Sequence, residues 1–298
     1  MINYLIKFGN LDRRVIFLLI GLSVLVPLIK PNWVQLPIKI DKNTETVFES
    51  ISNLERNDKV IISFAYGAST KPEVHPMAIA LLNQLFTKGV KVYIVSLWPE
   101  GPIMAQQALS SVINSNLFNI EDGVDYVMFD YKVGGFVVIK GIAENFRDLY
   151  QQDYNGKSID SLSIMKGIYS IEDFDFVFDF SAGVPGNAEW VQYACDPKNI
   201  PLSSGCTSIM VTDAIPYVES GQLQGILAGM PGAAEYEQLV YDFMINEQLI
   251  GNEYINSNSK INKGKAHARM SAQSVAHLLM VIFIIIGNIA YYFSRNKK

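Results

Sequence analysis

The chain has 298 residues, 49% of them hydrophobic, and a net charge of −5 that is unevenly spread: residues 43–259 hold 11 Lys and Arg against 27 Asp and Glu. A middle segment this acidic repels phosphate backbones, which excludes sequence-independent nucleic-acid binding, because that depends on Lys and Arg neutralising phosphates. Three histidines and two cysteines, scattered along the chain, exclude a structural zinc site.

After a tail of residues 1–14, the uncharged run VIFLLIGLSVLVPLI is preceded by Arg13 and Arg14 and followed by Lys30, Pro31 and Trp33. No small-x-small cleavage site follows Ile29, so residues 15–33 read as an uncleaved transmembrane helix rather than a signal peptide. Lys30 can snorkel and Trp33 can sit at the interface, which extends a short span. An α/β domain is expected over residues 40–258, opening with helical spacing over 44–54.

Within it, residues 60–66, 92–98, 125–131, 174–180 and 207–212 read as strands, being short runs rich in branched and aromatic side chains. Residues 76–88, 102–116 and 187–195 read as helices. This alternation predicts an α/β fold, a Rossmann-like or flavodoxin-like mostly parallel sheet with helices on both faces. Gly134 and Gly135 followed by FVVIKG suggest an extra short strand, and residues 140–172 form an excursion with the turn signal DYNGKS. Asp175 and Asp179 alternate with phenylalanines and read as a solvated edge. No internal repeat stands out.

Further on, Gly221, Gly225 and Gly229 recur every fourth residue, which on one helix face lets another backbone approach closely and suggests an interaction surface. A helix over 233–250 follows, with Glu235 and Glu237 in its first turns. A basic juxtamembrane linker over 259–270 leads to a second transmembrane helix over 271–294, of bilayer length, ending in Tyr291 and Tyr292 before the tail 295–298. Asn288 lies within it and, being polar, calls for a partner. Two spans put both termini on one side; the flank Arg13 and Arg14 favours cytoplasmic termini and an extracytoplasmic domain in the cell membrane.

Ligands of open parallel sheets bind beyond the carboxyl ends of the strands. Tyr66, Trp98, Glu100 and Tyr131 are therefore the ligand-binding candidates, and His75 with Ser69, Ser181 or Asp213 the catalytic ones. No phosphate loop and no G-x-S-x-G elbow is present, so no cofactor is expected. Oxygen ligands at Glu73, Asp179 and Asp213 lack supporting spacing, and no metal is expected. Cys195 and Cys206 are disulfide candidates. The expected function is a binding or assembly subunit of a membrane complex, with the bilayer and a protein partner or second copy as its contacts. The alternative is a membrane-anchored hydrolase or transferase working at the strand ends.

Overall fold

The computed structural model describes residues 12–30, 33, 37–250 and 265–295, in two compact units. The terminal tails up to residue 11 and from 296, and the start of the basic linker through Lys263, lie outside the described residues. The first unit contains α1 (Arg13–Ile29) and most of α10 (Lys265–Arg295). Asp12 caps α1 by accepting the Arg14 N–H. Among the described residues, one helix, over Ala266–Phe293, is long and apolar enough to cross a membrane. Asn288 turns its amide back to the Ile284 carbonyl at 2.9 Å, which satisfies one donor within its own helix.

The second unit, Ile38–Ala266, is built on six parallel strands. These are β1 (Lys59–Ala65), β2 (Lys91–Ser96), β3 (Tyr126–Met128), β4 (Phe176–Ser181), β5 (Leu202–Cys206) and β6 (Ile226–Ala228). Their order is β3-β2-β1-β4-β5-β6, which is the Rossmann order and not the flavodoxin-like one. The chain reverses direction across the sheet between β1 and β4, where two crossovers leave on opposite sides and open a crevice at the carboxyl edge.

The helices of this unit are α2 (Lys42–Ser52), α3 (Lys71–Lys88), α4 (Gly101–Ile113), α5 (Phe136–Glu144), α6 (Phe146–Leu149), α7 (Asn187–Trp190), α8 (Val211–Glu219) and α9 (Gly229–Asn246). A π-helical turn, Val191–Cys195, continues α7. On one sheet face Phe64, Phe178, Phe180 and Tyr66 interlock, with ring centroids 4.8 to 6.4 Å apart. On the other, Ile61, Ala65, Val95 and Val177 pack with Ile139, Trp190 and Ala214 from α5, α7 and α8. Both faces are covered, so the central strands are buried throughout, as all-parallel sheets require.

Several expectations need correction. The fifth strand is Leu202–Cys206, and residues 207–212 form a turn running into α8. FVVIKG begins a helix, α5, rather than a strand. Asp179 is not at a solvated edge: β4 is a central strand, and Asp179 has 0% exposure. Asp175, four residues earlier and just before β4, is exposed and accepts the Lys59 N–H at 2.8 Å. The glycines at 221, 225 and 229 share no helix face. Gly221 turns the chain after α8, Gly225 precedes β6 and Gly229 opens α9.

Candidate functional site

Three loops at the carboxyl edge present backbone N–H groups that the chain itself occupies. The Ala68 N–H after β1 donates to Glu100 Oε2 at 2.7 Å, reached from the start of α4. The Gly186 N–H after β4 donates to Glu189 Oε2 at 2.8 Å. The Ser208 N–H after β5 donates to Glu73 Oε1 at 2.7 Å, and the Ser208 hydroxyl bonds the same oxygen. A Cβ at Gly67 would meet Glu100 Oε2, so a side chain there would displace that carboxylate from the Ala68 N–H. Such N–H clusters at helix starts are where phosphates bind in related topologies. With carboxylates filling them, the edge favours neutral or cationic groups over anions.

The residues singled out from sequence are only partly brought together. Tyr66 and His75 form a buried pair, Oη to Nδ1 at 2.8 Å, on the phenylalanine face. Burial pushes the Tyr66 phenol well above its usual range. Ser181 lies on the opposite face, in register with Ala65, so the sheet separates it from His75. Ser69 is exposed on the loop after β1, and Asp213 is exposed in the first turn of α8. Trp98 is half-buried beside Gly183, and Tyr131 is half-buried after β3. Cys195 and Cys206 are free and buried. Burial, with the nearby Asp179 and Glu73 carboxyls, pushes the Cys206 thiol up to about 12, and burial with Asp179 and Asp196 pushes Cys195 up as well. Both thiols are therefore protonated and unreactive at neutral pH.

The densest polar cluster is one that sequence reading placed elsewhere. Asp179 in β4 is flanked in register by Ser63 in β1 and Ser204 in β5, all on the face covered by α7. Ser181, two residues on, shares that face; Asn187 and Trp190 come from α7. Each of these six is 0% exposed. No hydrogen bond of good geometry reaches either Asp179 oxygen, the three hydroxyls, the Asn187 amide or the Trp190 indole N–H, although Ser63, Ser181 and Trp190 approach the carboxylate closely enough for weak ones. Burial drives the Asp179 pKa up to about 7. Ser63, Ser181 and Trp190 lie near enough to draw it partly back, and Glu189 pushes it further up. No Lys or Arg contributes. Among the described residues no group of three or more His, Cys, Asp or Glu is placed to hold a metal ion.

A sequence signal for this region does exist. Ala-Gly-Val-Pro-Gly-Asn-Ala-Glu-Trp (182–190) and Ala-Gly-Met-Pro-Gly-Ala-Ala-Glu-Tyr (228–236) agree at six of nine positions. They occupy equivalent places, the first after β4 and the second after β6. In the first copy Glu189 caps its own loop. In the second, Glu235 accepts the Asp41 N–H at 2.9 Å, and Glu237, just beyond the copy, accepts the Ala266 N–H at 3.2 Å. Glu235 and Glu237 thus tie the start and end of the domain to α9.

Apolar side chains also gather at this edge. Among the described residues of the domain, exposed large hydrophobics include Ile103, Val133, Phe136, Val137, Val184, Ile209 and Ile215, which follow β2, β3, β4 and β5. Val133, Val184 and Ile209 are at least 75% exposed. Comparison with protein-family models, with curated proteins and with solved structures finds no match to this chain.

Proposed function

We propose that this chain is a two-span membrane protein whose α/β domain stands outside the cytoplasm and serves as a binding or assembly subunit of a membrane complex. The carboxyl edge of the sheet is its recognition face. The observation that carries this reading is the set of highly exposed apolar side chains Val133, Val184 and Ile209 in the loops after β3, β4 and β5. Large apolar side chains left exposed at one edge mark protein or membrane contact sites. The same edge carries exposed Asp130, Glu100 and Asp213, which disfavour an anionic lipid surface and favour a protein partner or a second copy.

The tether is supported by length. The 31 residues of α10 extend about 46 Å, more than the roughly 30 Å of a hydrocarbon core, and the 17 of α1 extend about 26 Å, near the lower limit for a span. Sidedness is tested by placing a reporter cysteine at exposed Ser69 and treating intact cells with a membrane-impermeant thiol reagent. Because Cys195 and Cys206 are buried, the unmodified chain provides the blank. Labelling before lysis is expected. Labelling only after lysis would put the domain in the cytoplasm.

A further inference from the structure

The buried group around Asp179 lacks a countercharge. Carboxylates removed from water are normally paired with a cation or fully hydrogen-bonded, and buried polar groups without partners are few in native folds. Here six buried side chains with no well-formed hydrogen bond, Ser63, Asp179, Ser181, Asn187, Trp190 and Ser204, fall on adjacent strands and one helix, and the only groups drawn toward the carboxylate are the neutral Ser63, Ser181 and Trp190. The other unpartnered strand hydroxyls, Ser96 and Ser203, are in register with Phe64 and Phe178 on the opposite face. The cluster spans β1, β4 and β5, inside the sheet beside the point where the strand order reverses.

We propose that Asp179, Ser63, Ser181, Ser204 and Asn187 form a binding site for a monovalent metal cation. The donors are hard oxygens, which suit alkali and alkaline-earth ions rather than zinc or copper. One carboxylate with neutral hydroxyl and amide oxygens matches a single positive charge, whereas calcium sites gather several carboxylates and magnesium keeps much of its water. A cation on one Asp179 oxygen leaves the other for the Trp190 N–H. This site needs nothing from the exposed edge loops and stands apart from the assembly reading.

The test is thermal unfolding of the full-length chain in detergent at pH 8, in sodium, potassium or choline chloride at equal ionic strength. Sodium or potassium should raise Tm over choline, saturably and by a few degrees. Asp179→Asn should abolish the difference. Ser204→Ala and Ser63→Ala, which keep the carboxylate, should raise the salt concentration needed for half the effect several-fold. The proposal is overturned if the salts are indistinguishable, if Asp179→Asn responds like the parent chain, or if only calcium or magnesium shifts Tm.

Discussion

A carboxylate on a strand buried on both faces costs several kcal/mol when ionised without a partner, and less when a proton neutralises it. Asp179 stands in that position, with its pKa raised from the usual 3.8 to about 7. The native state therefore holds its proton more tightly than the unfolded chain does. In buffer whose only cation is choline, the contribution of Asp179 to stability should be full below about pH 4, be lost as pH rises to about 7, and level off above that. Asp179→Asn, compared with the parent at pH 5 and pH 8, should gain more at pH 8; an equal gain at both would contradict the shifted pKa. Close packing sets a second constraint. A Cβ at Gly186 would come within 2.6 Å of the Gly183 carbonyl and 2.7 Å of Ser181 Cβ. Gly186→Ala should cost about 1–3 kcal/mol in denaturant unfolding.

At the scale of elements, α9 organises the ends of the domain through Glu235 and Glu237. Glu235→Ala removes a charged acceptor from the Asp41 N–H and should lower stability by about 1–3 kcal/mol, with Glu235→Gln retaining much of the loss. Strands β1, β2 and β4 were legible because Ile, Val, Phe and Tyr dominate them. β5 was not. Its residues Ser203, Ser204 and Gly205 carry no strand signal, and only burial between β4 and β6 makes LSSGC a strand. FVVIKG reads as a strand by propensity, yet it packs Val138, Ile139 and Ile142 into the core at helical spacing. The three residues of β6 were too few to register by periodicity. Candidate residues at the edge were legible because strand ends are where ligands bind. The Asp179 cluster was not, since Ser63, Asp179 and Ser204 are adjacent only through strand pairing, with Ser63 more than 100 residues from the other two.

For the whole molecule, the terminal helices and the domain make separate demands. The helix over Ala266–Phe293 is long and apolar enough to cross a membrane, while the domain buries its core and leaves hydrophobic side chains at its carboxyl edge. Such side chains contribute little to folding, so Val184→Asp with Ile209→Asp should leave Tm within the range of ordinary surface changes, about 0.5 kcal/mol. The same pair should reduce the assembled fraction on sizing after gentle extraction. Unchanged assembly in a normally folded double variant would remove the edge from the recognition face.

The central claim is tested most directly by placing a photo-crosslinking residue at Ile209 in the full-length chain in its native membrane, with a second at Tyr169. Tyr169 is also exposed but lies before β4, away from the carboxyl-edge loops. Discrete higher-mass adducts from position 209 and none from 169 are the predicted result. Adducts absent from 209, or equal at both positions, would contradict an assembly face at the carboxyl edge.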